Sequence, residues 1–396
     1  MLVVAGVPFD AALTATCFGA AIMTIAMGLI ANRPIALASG MGINAIVAYT
    51  LCLGGAAVDW RVAMAIVFLE GIVILILVAC GLRKAVMDAI PVSLRHAIGI
   101  GIGLFIAFIG LKGGGIIVAN ESTILGLGDL SAPVAIVSLI AIAVAVVLQV
   151  LNVKGGLLIS IIVATIAGIP LGVTPLPSSW SFGLDFSAFA APFQTIPGTD
   201  TMAIAQVFLQ PALLLFVFSL LMSDFFDTMG TVVAVGEQAD FVDENGDVKD
   251  IQPILMVDSA AAAVGGFVGA SSVTSFVEST SGAAAGARTG LSNLVVGILF
   301  VIFAFASPII GMVSSSATCG ALVVVGYLML SDVINIDWTR IEFAFPAFAT
   351  IMGIPMTYSI TNGIGFGFIS YCVIMLVTGK AREVKPLMWV AAIAFL

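Results

Sequence analysis

Charge is what this sequence has least of. Only 9% of its 396 residues are charged, against roughly 25% in soluble domains, while 61% are hydrophobic. The longest polar connections, 171–201 and 237–253, are too short to hold a soluble domain. The chain therefore reads as an all-α polytopic membrane protein, with the lipid bilayer as its first partner. Histidine is nearly absent as well. With His96 alone, a histidine-based metal site is excluded and a serine or cysteine triad nearly so. The five cysteines, Cys17, Cys52, Cys80, Cys319 and Cys372, stand singly in apolar runs without a CxxC pair, and read as small packing residues. The glycine-rich GIGIG at 99–103 has no strand before it and no P-loop lysine after it, so it reads as helix packing. No metal, cofactor or nucleic acid is expected. Part of the net charge of −9 lies in one acidic loop, 237–250, read as a solvated connection.

What is present is a series of apolar windows of the length that crosses a bilayer. Eleven are clear: 11–31, 61–80, 97–111, 132–151, 155–173, 203–226, 254–269, 291–310, 318–330, 343–356 and 361–377. Two more, 34–54 and 271–286, are too broken to be plain spans, which makes thirteen. With the connection after Cys80 placed inside, alternation puts Arg33, Arg83, Lys84, Arg95, Lys154, Lys249, Arg288, Arg340, Lys380, Arg382 and Lys385 on the cytoplasmic side. Only Arg61 and Lys112 fall outside, as the positive-inside rule requires. The same alternation starts the chain outside. The first ten residues, MLVVAGVPFD, are too short for a span and lack the basic start of a signal peptide. The expectation is that a first helix is missing ahead of Met1.

The chain is organised around 270–290, ASSVTSFVESTSGAAAGARTG. It lies between two long apolar runs, is rich in hydroxyls and glycine, and carries Glu278 at its middle. Backbone this polar at membrane depth survives only where protein buries it or where it lines a watery cavity. The other broken stretch, IALASGMGINAIVAY, precedes the span from Arg61 much as SSVTSFVESTSGAAAG precedes the span from Leu291. One helix later in each half comes a glycine-punctuated span, GIGIGLFIAFIGL and GALVVVGYLML. Paired interruptions at matching positions are the mark of inverted-repeat transporters, whose substrate lies between the two breaks.

Five acids lie in or at the edge of spans: Glu70, Asp224, Asp227, Asp258 and Glu278. A charge at the bilayer centre costs at least about 2.5–3.5 kcal/mol on insertion scales, and no lysine or arginine lies at comparable depth to pair with them. A hydrated or ligand-filled cavity explains them better than ion pairs. Asp224 and Asp227, in SDFFDTMG, share a helix face at i, i+3 spacing. Asp227 is the stronger ligand candidate, because Thr228 and Gly230 let backbone and ligand approach. Asn44, in GMGINA, carries an amide that both donates and accepts, which suits the edge of a heterocycle. Capping a half-helix is its competing role. Glu70 and Asp258 read first as anchors that accept backbone hydrogen bonds from the broken stretches.

GMGINA, DFFDTMGT, the DS of MVDSAAAAVGGFVGASS, TSFVESTSG, GARTG and the late IPMTYSITNGIGFGFISY together resemble the xanthine/uracil permease superfamily, in its adenine/guanine/hypoxanthine permease branch. The resemblance spans about residues 11–380. It implies a seven-plus-seven inverted repeat with a core domain that carries substrate and a gate domain, and two half-helices each preceded by a short strand. On this sequence the core takes 1–81 and 202–310, and the gate 82–201 and 311–396 with the C-terminal tail. The family's substrate-contacting positions fall on Asn44, Asp224, Asp227 and Glu278. Ser39 stands where the family usually has proline before GMG, and Thr280 and Ser281 where it has a small apolar pair after the glutamate and serine.

The expected function is import of purine nucleobases with protons, by alternating access. Glu278 and Asp227 would read the edge of the base with Asn44 opposite, and Phe276, Phe225 or Phe226 would stack on its face. Asp227, Glu278, Asp258 and Glu70 are the candidates for carrying the coupling proton, and a second copy of the chain is a candidate partner. The rival is an anion transporter of similar architecture, for sulfate or bicarbonate held between half-helix N-termini. Three or four carboxylates around the site argue against an anion. A membrane enzyme would need a histidine base, a nucleophile elbow or a metal cluster, which the sequence does not supply.

Overall fold

A computed structural model describes residues 1–54, 56–81, 89–153, 155–176, 183–242 and 248–395. Arg83, Lys84 and Lys154, three of the residues assigned to the cytoplasmic side, lie outside them, as do the middle of the acidic loop and the side chains of Phe226 and Ser281. In chain order the elements are α1 (Phe9–Ile30), β1 (Leu37–Ser39), α2 (Met41–Ala45) and α3 (Trp60–Ala79), with a π-helical segment, Ile46–Cys52, continuing α2. Then come α4 (Val92–Gly113), β2 (Ile117–Asn120), β3 (Ile124–Leu127), α5 (Pro133–Val150) and α6 (Gly156–Gly168). The second half holds α7 (Ala203–Leu209), α8 (Pro211–Gln238), α9 (Ile251–Val268), β4 (Val273–Ser275), α10 (Ser279–Ala284) and α11 (Leu291–Ala304). It ends with α12 (Ser315–Leu330), α13 (Ile341–Thr357), α14 (Ile360–Val377) and α15 (Pro386–Ala394).

Among the described residues, seven helices are long and apolar enough to cross a membrane, and five shorter apolar helices accompany them. Both broken stretches are a three-residue strand followed by a short helix, as expected. Three expectations need correction. The window 203–226 is two helices, because Pro211 has no N–H to continue the ladder and forces Gln210 into extended backbone (φ −119°, ψ 91°). The second of them runs on to Gln238, well past the apolar window. The window 291–310 stops at Ala304 and resumes for one turn at Ser307–Ile310. A β2–β3 hairpin and the C-terminal helix α15 were not expected from the sequence.

Local chemistry explains several helix ends. Asp59 caps α3 by accepting from the amide of Arg61. Asn32 takes the left-handed conformation just after α1 (φ +50°), which asparagine tolerates better than most residues. Gly269 ends α9 at φ +85°, and a side chain there would strike Ala188.

The chain forms two compact units. The first comprises Met1–Pro91, Gly183–Phe305 and Val384–Ala391. At its centre β1 pairs antiparallel with β4, Leu37 opposite Ser275, Ala38 opposite Thr274 and Ser39 opposite Val273. Around this ribbon the packing is symmetric: α1 lies against α11 and α3 against α9, each pair being the other's counterpart in the two repeats. Small residues permit the close approach. A Cβ on Gly290 would come within 2.0 Å of the Gly28 carbonyl, and one on Gly71 within 2.1 Å of the Ala263 amide.

The second unit comprises Val92–Phe182, Ala306–Glu383 and Ala392–Leu396. There α4 packs on α12, the two glycine-punctuated spans. α13 lies on α4 as α5 lies on α12, and α13 pairs with α14 as α5 pairs with α6.

Candidate functional site

The site is built on the β1–β4 ribbon of the first unit. All six strand residues are buried, so every polar group on them must be met by protein. Beyond the paired residues the ribbon is closed by two equivalent bonds, from Gly40 N to Ser272 O (3.0 Å) and from Phe276 N to Ala36 O (2.9 Å). The helix before each strand then holds it with a polar side chain. On the first side the hydroxyl of Thr24, in α1, accepts from Leu37 N and donates to Leu37 O, each at 2.8 Å. On the second side the carboxylate of Asp258, in α9, accepts from Ser275 N at 2.9 Å and from the Ser275 hydroxyl at 2.8 Å. Its other oxygen accepts from Thr228 of α8 at 2.6 Å. Thr228 also lies 3.1 Å from the Thr274 hydroxyl, so one buried polar network joins α8, α9 and β4.

The structure brings most of the sequence-derived candidates to this ribbon. Asp224 is fully buried in α8 and accepts from the Ser272 hydroxyl at 3.2 Å. Asp227, one turn on, is half-buried. A Cβ on Gly40 would lie 3.8 Å from its Oδ2, so this carboxylate faces the junction between β1 and α2. Asp258 and Glu278 are both near enough to act on Asp227 electrostatically. Glu278 is half-buried in the turn just before α10, and the next residue, Ser279, accepts from Ala36 N at 3.0 Å. Asn44 lies in α2 on the opposite half of the ribbon, with its amide against Ser39.

Of the three ring candidates, Phe276 is half-buried and follows β4 directly, while Phe225 is packed into the interior. Glu70 is fully buried in α3, next to the close α3–α9 contact at Gly71, and not on an element of the ribbon. Sequence reasoning missed Thr24 altogether. A lone threonine in an apolar span carries no signal until its partner strand, thirteen residues on, is placed.

The basic residues of this unit with described ion pairs are Arg33, Arg61 and Arg288, which pair with Asp250, Asp59 and Asp240 at helix ends. Of the ribbon's acids, Asp258 is met by hydroxyls and a backbone amide and Asp224 by a hydroxyl. Among the described residues no group of three metal-ligating side chains is gathered. The arrangement offers half-buried carboxylate acceptors and one amide to a ligand that need not be charged.

The profile of the xanthine/uracil permeases, described simply as a permease family, matches residues 1–392. The guanine/hypoxanthine permease PbuO of Bacillus subtilis is 39% identical, over 99% of this chain and 90% of its own length. The adenine permease AdeQ of Escherichia coli is 37% identical, over 96% of this chain and 83% of its own. Among solved structures, the transmembrane domain of the cyanobacterial bicarbonate transporter BicA superposes with a TM-score of 0.62 at 15% identity, covering 92% of this chain and 94% of that one. This likeness shows the fold, the seven-plus-seven inverted repeat expected from the motifs. Interrupted helices paired through their strands and a match along nearly the whole sequence lead to one conclusion: the chain belongs to the permease family, as a multi-pass transporter of the cell membrane and not an enzyme.

Proposed function

We propose that this protein is a secondary active transporter that imports purine nucleobases, among adenine, guanine and hypoxanthine, together with protons by alternating access. The observation that carries the reading is the clustering of Asp227, Glu278 and Asn44 about one buried ribbon, with Arg33, Arg61 and Arg288 paired to acids elsewhere. A purine is flat, neutral and edged with N–H donors and ring acceptors. Carboxylates accept from its donors, and an amide meets either kind of group. Asp227 and Glu278 then read the base, Asn44 faces them, and Phe276 supplies a ring surface. The names of the relatives support this substrate class.

The first unit takes the part of the core domain and the second that of the gate. Asp227 or Glu278 carries the coupling proton, since both are half-buried acids at the ligand. Asp258 and Asp224, with hydroxyl partners, hold the frame, and Glu70 stands behind them. An anion would meet only repulsion from these acids, so the fold shared with a bicarbonate transporter does not extend to its substrate.

The test is competition. Uptake of radiolabelled hypoxanthine, in cells lacking their own purine permeases, is challenged with adenine, guanine, uracil, sulfate and bicarbonate. Purines compete if the reading holds. Inhibition by sulfate or bicarbonate without inhibition by purines reverses it.

A further inference from the structure

We propose that Ser39 sets how Asn44 reads a ligand: its hydroxyl occupies the donor–acceptor edge of the Asn44 amide and limits that residue to a single hydrogen bond with a bound base. The inference rests on the nucleobase reading above and deepens it.

Ser39 Oγ lies 2.8 Å from Nδ2 and 3.0 Å from Oδ1 of Asn44. A single atom so near both ends of a primary amide sits on the edge where the oxygen and its neighbouring N–H point the same way. That is the edge with which asparagine meets a nucleobase through two parallel hydrogen bonds. Turning the amide over leaves the same edge covered.

A third partner decides where the hydroxyl proton goes. Ser39 Oγ is 2.5 Å from the carbonyl oxygen of Ala270, in the wholly buried connection between α9 and β4. A buried carbonyl needs a donor, and a hydroxyl has one proton to give. Of the two oxygens within reach, that of Ala270 is the nearer, so Ser39 donates to it and accepts from Nδ2–H of Asn44. Asn44 keeps its other N–H and the outer lone pair of Oδ1, which point away from each other. A base can take one of them but not both. Ser39 and Asn44 are both buried, so bulk water does not compete for the covered edge. A residue without a hydroxyl at position 39 would leave the edge open.

A double-variant cycle tests this. Transport KM for adenine, guanine and hypoxanthine is measured in cells without their own purine permeases, with the amount of protein in the membrane quantified for each variant. The set is wild type, Ser39→Ala, Ser39→Thr, Asn44→Ala and the Ser39→Ala/Asn44→Ala pair. In wild type, loss of the Asn44 amide removes one hydrogen bond; with Ser39→Ala it removes two. The rise in KM on Asn44→Ala is therefore larger in the Ser39→Ala background, by an additional factor of about three to ten. Ser39→Thr, which keeps the hydroxyl, behaves as wild type. Equal KM ratios in the two backgrounds, with purine uptake intact, overturn the role of Ser39 and leave the transport reading standing. Absence of purine uptake by the wild-type protein overturns both. If Ser39→Ala fails to reach the membrane, Ser39→Pro, which also lacks the hydroxyl, takes its place in the same cycle.

Discussion

Thr228 of α8 donates to Asp258 of α9 across 2.6 Å, and this bond ties the helix that carries Asp227 to the helix that holds β4. It joins two halves of the site that sequence distance keeps apart, and both residues are fully buried.

Thr228→Val keeps the shape and removes the hydroxyl, leaving Asp258 Oδ2 without that donor in a dry interior. The expected cost is about 1–3 kcal/mol of stability, read as a lower melting temperature of the detergent-solubilised protein. Thr228→Ser, which retains the donor, stays close to wild type. A valine variant as stable as the serine one would show that the bond does not tie the helices.

Glu278→Gln is isosteric and holds no titratable proton. With proton symport, uptake by the wild-type protein falls as external pH rises, because the coupling ion becomes scarce. The glutamine variant is expected either to lose uptake or to transport at a rate independent of external pH. An unaltered pH profile removes Glu278 from proton coupling.

Asn44→Ala takes an amide from α2 without touching the ribbon's backbone bonds. The expected result is a KM raised by about three- to tenfold, equivalent to one neutral hydrogen bond, with normal abundance in the membrane. Unchanged KM for every purine would place Asn44 outside the ligand contact.

Glycine contacts separate packing from chemistry. A Cβ on Gly71 would lie 2.1 Å from the Ala263 amide, and backbone there has no room to yield, while one on Gly99 meets nothing within 4 Å. Gly71→Ala is expected to destabilise the protein by about 1–3 kcal/mol and Gly99→Ala to leave it unchanged, as measured by thermal melting. Equal melting temperatures for the two would contradict the close α3–α9 packing.

Much of the fold was legible in the chain. The spans show because lipid tolerates about 20 consecutive apolar residues and little else. The two interruptions show because hydroxyls and glycines at that depth demand internal partners. Pro211 was equally visible, yet the apolar run around it hid the break between α7 and α8. The β2–β3 hairpin escaped because eight short-strand residues in the loop after α4 carry no clear alternation.

By itself, then, the sequence determined that this is a many-helix membrane protein with two paired breaks and acids within its spans, since hydropathy and charge are local properties that each segment carries with it. What each acid meets was decided only in three dimensions. Along the chain Asp258 reads as an anchor and Asp227 as a ligand candidate, but neither shows its neighbours. One accepts from Ser275 and Thr228, the other faces Gly40, and that difference comes from residues brought together by the pairing of strands more than two hundred positions apart.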